Sequence, residues 1–314
     1  MWPCARANPK RGDEMSDFSS GAAYFDGEYM PIAQARIPVT HFGYRRSDVT
    51  YDVVGVWQGS FFRLDDHIRR FRASMTRLRM QPPESDDDIR RILNRIVALS
   101  GLRSAYVAMD CLRASAPAGG PRHSAFARSY LCCFAVPWVN IPSAEQYERG
   151  LHMIIPRVQR IAPESVDPRV KNFHWADLTA AQFEALDAGA DTAALLDAQG
   201  HVTEGPGFNV FCITGGVVTT PQHGALEGVT RLSVTELCAE LGLPLEIRDI
   251  PADEFRQADE IFACTTAGGI MPVSRIDGRI MGNDRPGPIS TRLKDLFWQK
   301  RAEGWHATPV DYEV

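Results

Sequence analysis

A chain of 314 residues is long enough to form two ordinary domains, each around its own hydrophobic core. Hydrophobic residues make up 44% of it and charged residues 23%, which is typical of a globular protein and not of a disordered one. The net charge of −5 argues against nucleic acid or an anionic membrane as the main partner, and no apolar run reaches the ~20 residues that cross a bilayer.

The start of the chain predicts no ordered structure. Residues 1–20 lack the apolar segment of a secretory signal, so we expect a disordered extension on a cytoplasmic protein. The seven cysteines show no C-x-x-C pair and no His/Cys ligand spacing. This favours buried thiols in a reducing compartment and indicates no metal site.

Turn signals and apolar alternation then predict two hairpins. The first runs from Ala22 to Met30 and turns at Asp26-Gly27. The second joins Tyr51–Trp57 to Phe61–Arg63 around Gln58-Gly59.

Two amphipathic helices follow, each with one apolar face. The residues that give these faces are Ile68, Phe71, Met75 and Leu78 in the first helix, and Ile89, Ile92, Leu93 and Ile96 in the second. Asp65 and Asp66 open the first helix. Strands are predicted at Tyr106–Leu112 and Tyr130–Val136, on either side of a loop from Arg113 to Arg128.

The second half of the chain begins after a polar stretch with two prolines. We place a linker at residues 139–149, between a smaller domain at 21–138 and a larger one at 150–314. The elements predicted after the linker are a strand near His152–Val158, a helix from Trp175 to Leu186, a meander (Ala193–Leu196, Val202–Ile213, Val217–Thr220) and a helix at Val234–Leu241. Strands and helices mix without βαβ alternation, which favours an α+β fold.

Lys171 is a candidate nucleophile because lysine is scarce. Only four of the 34 basic residues are lysines, and the others lie in the first residues or near the C-terminus. Arginine can supply a permanent charge, but it cannot replace an amine that must lose its proton and react with a carbonyl group. Chance composition is the alternative explanation.

Three further features accompany this lysine. Glu204 falls inside an apolar, Gly-rich strand, where a carboxylate is costly unless a cation meets it, although an exposed edge strand would also explain it. Val229 and Thr230 precede a helix, and Thr265 and Thr266 precede Gly268-Gly269; both turns suit an anion, although such turns often only cap a helix. An amine, a carboxylate and a phosphate cradle are what pyridoxal phosphate (PLP) requires.

The order of these motifs resembles the fold-type IV PLP-dependent transaminases, which include branched-chain and D-amino-acid aminotransferases. The motifs are KNFHWADL, TEGPGFN, GVTR and CTTAGGIMP, together with the segment from Ser47 to Arg70. That segment is most similar to the (R)-selective amine transaminases. The resemblance covers about Gly21 to Tyr312 and implies a two-domain α+β fold with the cofactor between the domains.

The resemblance assigns a role to each matched residue. Lys171 matches the lysine that binds PLP and shuttles the substrate proton, and Glu204 matches the carboxylate at the ring nitrogen. The phosphate ligands matched are Arg70, Val229, Thr230, Thr265 and Thr266. Tyr51 and Trp175 match walls of the substrate pocket, although core packing is the alternative for both.

Two positions depart from the family pattern. Arg46 stands where relatives of the amine branch commonly have histidine, and a cation there could alter substrate range. Pro206 replaces a small residue in the E-G-x-G turn and removes an N–H group. The family also suggests a mobile arginine for keto-acid binding from the 113–128 loop, either Arg122, which we favour, or Arg113.

The implied reaction is transfer of an amino group from an (R)-amine to a keto acid such as pyruvate, by a homodimer whose active sites are completed by the partner subunit. The alternatives are a D-amino-acid or branched-chain amino-acid aminotransferase, an aminodeoxychorismate lyase, and a binding protein without a cofactor.

Overall fold

The computed structural model describes residues 17–313, and the predicted extension at residues 1–20 lies outside this range except for 17–20. Its α-helices are α1 (Phe42–Arg46), α2 (Leu64–Arg77), α3 (Asp86–Ser100), α4 (Ala144–Arg149), α5 (Ala176–Asp187), α6 (Val229–Leu241), α7 (Ala252–Gln257) and α8 (Pro288–Ala302). Short 3₁₀ helices occur at Ile32–Gln34 and Ser124–Phe126.

The strands of the first half are β1 (Ala22–Phe25), β2 (Glu28–Pro31), β3 (Val49–Trp57), β4 (Ser60–Phe62), β5 (Ala105–Arg113) and β6 (Ser129–Pro137). Those of the second half are β7 (Leu151–Ile154), β8 (Thr192–Ala193), β9 (Glu204–Gly205), β10 (Phe208–Thr214), β11 (Val217–Thr220), β12 (Leu245–Ile247), β13 (Glu260–Thr265), β14 (Gly269–Ile276), β15 (Arg279–Ile280) and β16 (Ala307–Pro309). Together with the helices they confirm the α+β fold class.

The first sheet is antiparallel, with strand order β16-β4-β3-β5-β6-β1-β2. Both predicted hairpins are confirmed. Gln58 and Gly59 have φ of 49° and 79°, the positive values that a two-residue type I′ turn needs. The predicted strands around the 113–128 loop are confirmed as β5 and β6.

Helices α2 and α3 cover one face of this sheet, as their apolar spacing predicts. Ile68, Phe71 and Met75 are buried on α2, while Leu78 lies just past its end. α3 begins with a capping box in which Ser85 and Asp88 bond each other's backbone N–H groups. The other face of the sheet therefore remains available to the rest of the chain.

The second sheet is mixed, with strand order β12-β11-β10-β13-β14-β7-β8, and β9 pairs with β10 while β15 pairs with β14. Two predicted strands are wrong in extent. The strand at His152–Val158 ends at Ile154, because the chain reaches Pro156 and leaves the sheet. Residues 202–213 do not form one strand, because the chain reverses at Pro206-Gly207 between β9 and β10.

The predicted meander is also only partly correct. Of residues 193–196 only Ala193 lies in a strand, β8, which pairs in parallel with β7, and Leu196 and Val202 form an isolated bridge. The helix predicted from Val234 begins five residues earlier, at Val229. This brings the first turn of α6 to the segment that the sequence marks as an anion site.

Two connections join the sheets. Strand β16, from the C-terminal end, pairs with β4 at the edge of the first sheet. Near the middle of the chain, Thr50 of β3 and Asn172 form an isolated bridge. The division into domains at 21–138 and 150–314 stays a prediction. Within residues 17–313, no helix has the length and apolar character needed to cross a membrane.

Candidate active site

Lys171 lies in the segment between β7 and α5, and its backbone is fixed to the first sheet. Its carbonyl oxygen accepts hydrogen bonds from Tyr51 N (3.0 Å) and Thr50 Oγ1 (2.7 Å). Its N–H donates to Ser74 Oγ at 3.3 Å. The lysine is therefore held between the two sheets by bonds that leave its side chain free.

The Lys171 amine opens onto a cavity and carries a perturbed pKa. Burial, together with the nearby Arg70 charge, lowers the pKa of Lys171 to about 8, and Asp52 and Glu204 oppose this. The amine nitrogen lies 4.4 Å from the centroid of the Tyr51 ring and forms no side-chain ion pair among residues 17–313. A substantial fraction of such an amine is neutral, and nucleophilic, near neutral pH.

Glu204 is buried at the β9–β10 reversal, so the exposed-edge explanation of this residue is wrong. It is 7% exposed, and its Oε1 accepts hydrogen bonds from Arg160 Nε (3.1 Å) and Nη2 (3.0 Å). Its Oε2 accepts the N–H of Leu226 at 2.9 Å. Burial raises the pKa of Glu204, while Arg160 and the Leu226 N–H act in the opposite direction.

The reversal at residues 205–208 accounts for Pro206. Gly207 follows it with φ of 84°, and proline followed by a positive-φ glycine is the sequence that a type II turn requires. Gly205 has no room for a side chain, since a Cβ there would lie 2.2 Å from the Phe208 ring. The proline therefore stiffens the turn that aims Glu204.

Arg160 is a site residue that sequence reasoning missed. It is largely buried and pairs with both Glu204 and Asp177, whose Oδ2 accepts from Arg160 Nη1 at 2.6 Å. Nothing in the sequence distinguishes it from the other arginines. Only the folded chain reveals that Glu204 has the cationic partner that a buried carboxylate needs.

An anion site lies at the start of α6. Gly228 is the N-cap residue and has no side chain to bond the first N–H groups, and no acidic residue occupies the first turn. Val229 and Thr230 are the first helical residues, so their N–H groups and the helix dipole favour an anion there. The turn after β13 adds Thr265 and Thr266, and Thr265 Oγ1 donates to Gly207 O at 2.8 Å.

Arg70 extends from α2 to this anion site. Its Nη1 donates to the Glu227 carbonyl at 3.1 Å, one residue before Gly228. Its Nε and Nη2 each donate to the fully buried Asp52 at 2.8 Å, and His67 Nδ1 bonds the same carboxylate. Sequence reasoning missed Asp52 and His67, which fix the direction of the guanidinium.

Nine of the predicted site residues line one cavity with about 620 Å³ of space between protein atoms. They are Lys171, Glu204, Arg70, Val229, Thr230, Thr265, Thr266, Tyr51 and Trp175. These residues come from both sheets, so the cavity lies between them.

The remaining predicted residues, Arg46 and Arg122, lie elsewhere. They line a separate cavity together with Arg45. Arg113, the alternative to Arg122, is buried and already bonded to Asp48 and to the Leu78 carbonyl. The carboxylate-binding roles of Arg46 and Arg122 stay predictions.

The donor set of the cavity fits PLP and does not fit a metal. A buried amine can bind the aldehyde, a buried carboxylate can face the ring nitrogen, and a helix N-terminus with hydroxyl groups can hold the phosphate. Within residues 17–313 no cluster of three or more metal-ligating side chains occurs, and the six described cysteines are free and buried.

Comparison with known proteins agrees with this geometry. Residues 50–276 match the family model described as amino-transferase class IV. A branched-chain-amino-acid aminotransferase of Pseudomonas aeruginosa is 30% identical over 88% of this chain and 92% of its own. A D-alanine aminotransferase of Bacillus licheniformis is 27% identical over 86% and 93%.

Solved structures give the same result. The branched-chain amino acid aminotransferase of Thermobaculum terrenum, in its PLP form, superposes with a TM-score of 0.84 at 27% identity. The match covers 94% of this chain and 100% of that one. A second branched-chain amino acid aminotransferase, from T.th. and complexed with N-(5'-phosphopyridoxyl)-L-glutamate, has a TM-score of 0.85 at 27% identity, with the same coverage of both chains.

Proposed function

The chain belongs to the amino-transferase class IV family, and we propose that its particular reaction is (R)-selective transfer of an amino group from a primary amine to pyruvate. It is a PLP-dependent aminotransferase of fold type IV. Its substrates are small molecules that carry amino and keto groups. The choice of an (R)-amine as donor is our proposal.

One observation carries this choice: the arginines that line the Lys171 cavity are already paired. Arg70 is bonded to Asp52, and Arg160 to Glu204 and Asp177. Among the residues that the structure describes, no unpaired arginine therefore faces the reacting amine to hold a permanent substrate carboxylate. Aromatic walls from Tyr51 and Trp175 suit an aryl or alkyl group instead.

A keto acid must nevertheless bind in the second half of the reaction. Arg46 and Arg122 line the neighbouring cavity, and an arginine side chain from there can move toward the site and away from it. We propose that Arg122 serves the keto acid in this way, and that Arg46 influences the same carboxylate. We also propose that the enzyme is a homodimer whose partner subunit completes each site.

The residues of the cavity divide the work of the reaction. When bound, PLP links to the amine and accepts the electron pair left when the donor's C–H bond breaks. Lys171 would hold it covalently and, once released, would accept the proton from the donor carbon and return it. Glu204 would keep a proton on the ring nitrogen, while Arg70, Val229, Thr230, Thr265 and Thr266 would hold the phosphate. Arg160 holds the Glu204 carboxylate in place.

A donor panel tests the proposal directly. We expect (R)-1-phenylethylamine to react with pyruvate at least about tenfold faster, in kcat/KM, than the (S)-amine and than D- or L-amino acids. Alanine formation measures the rate. Preference for D-alanine, or for L-leucine with 2-oxoglutarate, would replace the proposal by a D-amino-acid or a branched-chain aminotransferase.

The amino-acid alternative is favoured by the names of the relatives, which are branched-chain and D-alanine aminotransferases. A third candidate, a lyase acting on aminodeoxychorismate, would release pyruvate without any amine acceptor. Both alternatives use the same Lys171 and Glu204 geometry. The donor panel, run with and without pyruvate, therefore separates all three.

The lowered pKa of Lys171 predicts the pH dependence of cofactor capture. Only the neutral amine attacks the aldehyde, and its fraction rises from ~9% at pH 7 to ~91% at pH 9 when the pKa is about 8. We expect the rate at which the apoenzyme binds PLP, followed by visible absorbance, to rise about tenfold over this range and then level off. Nα-acetyl-lysine in the same buffers is the control, because its rate should keep rising toward pH 10. A protein rate that also keeps rising would contradict the perturbed pKa.

Gly228 tests the phosphate cradle. A Cβ at this position would lie 1.9 Å from Asn209 Oδ1, so Gly228→Ala must displace the start of α6. Strain of about 1–3 kcal/mol predicts a roughly tenfold to hundredfold weaker affinity for PLP, measured by equilibrium dialysis. Gly120→Ala is the matched control, since its nearest neighbour is 3.3 Å away in a loop outside the cavity. Equal affinities in the two variants would count against the cradle.

A further inference from the structure

Asp110 is a buried carboxylate that the reaction does not use. It lies on β5, is 7% exposed, and has no ion pair or side-chain hydrogen bond with any residue from 17 to 313. Burial raises the pKa of Asp110 to about 7, and no neighbouring cation opposes this. Proteins seldom keep an unpaired carboxylate inside, because it loses its hydration without compensation. A group that meets it is therefore missing from the chain itself.

The strand register places Asp110 beside the reacting amine. Tyr51 of β3 and Asp110 of β5 are direct partners in an antiparallel ladder. Such partners point to the same face, with Cβ atoms ~4.5–5.5 Å apart. Since the Tyr51 ring lies 4.4 Å from the Lys171 amine nitrogen, Asp110 is one side chain removed from the reaction centre.

The face that carries Asp110 lies opposite to the one covered by α2 and α3. Its strand neighbours Met109 and Cys111 point into the core beneath those helices. On the Asp110 face, the rings of Tyr106 and Phe134 are stacked with centroids 6.4 Å apart. The Phe173 ring lies 4.9 Å from that of Tyr51. Aromatic faces around a single carboxylate are the chemistry that recognises an organic ammonium group.

We propose that Asp110 is a substrate-binding residue that selects amine donors with a second ammonium group at their far end. This inference rests on the proposed function, because it requires a primary amine to react at Lys171. In the reaction the diamine would lose one amino group and become an amino aldehyde, while pyruvate gains that group and becomes alanine. The second ammonium would stay unreacted beside Asp110 and fix the position of the chain between the aromatic rings.

The test compares two donors that differ only at the far end. Pentane-1,5-diamine carries NH₃⁺ where hexylamine carries CH₃, and pyruvate is the acceptor for both. We expect the wild-type enzyme to favour the diamine in kcat/KM. Asp110→Asn should lower the diamine-to-monoamine ratio at least about tenfold, mainly through a higher KM for the diamine. Asp249→Asn, at an exposed position outside the cavity, should leave the ratio unchanged. An unchanged ratio in Asp110→Asn would overturn the proposal.

Two further measurements keep the outcomes separate. Because Asp110 has no partner to lose, Asp110→Asn should melt at the same or a higher temperature than the wild type; if it does not fold, Asp110→Ser replaces it. If neither (R)-1-phenylethylamine nor hexylamine donates, the proposed donor class fails. The same ratio is then measured with lysine and 2-aminoheptanoate of the accepted configuration. A ratio that falls in the Asp110 variant supports the role of this residue in either donor series.

Discussion

Replacement of Lys171 by alanine should reduce kcat for transamination by roughly 10⁴-fold or more, because one side chain supplies both the covalent anchor and the proton carrier. The fold should persist, since the residue is held by its backbone: Tyr51 N and Thr50 Oγ1 bond its carbonyl oxygen. The visible absorbance band of the bound cofactor should also be lost. Steady-state rates and absorbance spectra of the purified variant measure both effects.

Two variants define what the loss means. Lys171→Arg retains a positive charge but not a reactive amine, so it should be as inactive as the alanine variant. Lys300→Ala removes a lysine that is paired with Glu240 on the surface, and it should keep full activity and the absorbance band. Activity in Lys171→Arg close to that of the wild type would disprove covalent attachment at this residue.

Replacement of Glu204 by glutamine should lower kcat by about 10²–10³-fold while the cofactor remains attached through Lys171. Glutamine keeps the volume and can still accept the Leu226 N–H, but it cannot hold a proton on the ring nitrogen by charge. Arg160 keeps Asp177 as its partner, so the loss of one carboxylate does not leave a buried cation unpaired. Single-turnover rates with the best donor measure the chemical step.

Glu260 provides a matched control. It is also a buried glutamate, and its carboxylate accepts the N–H groups of Ile289 and Ser290 at the start of α8, outside the cavity. Glu260→Gln should lower the melting temperature with little effect on kcat. If both variants lost activity to the same degree, the effect of Glu204→Gln would reflect folding and not the chemistry of the ring nitrogen.

Sequence reasoning succeeded where the signal is local. The apolar spacing of α2 and α3 and the two-residue turns of both hairpins each lie within a few residues, and each was confirmed. The scarcity of lysine drew attention to Lys171, and the ordered motifs extended this to the other residues that line the cavity. Their individual roles remain to be tested by the variants above.

The partners of these residues could not be predicted, because they are brought together only by the fold. Asp52 lies 18 positions from Arg70, and Arg160 lies 44 positions from Glu204. Each is one of many similar charges in the sequence. The turn at Pro206-Gly207 was within reach, since proline followed by glycine is a strong turn signal that should have interrupted the predicted strand.

The pairing of β16 with β4 has a consequence for the order of events during synthesis. Residues 307–309 form the outer strand of a sheet whose other members all lie before residue 138. A ribosome that has made the whole first sheet must therefore add about half of the chain again before that sheet gains its last strand. Until then β4 presents an unpaired edge, a surface on which nascent chains can aggregate. Translation speed and chaperone binding should therefore influence the yield of folded protein more than the stability of the finished enzyme would suggest.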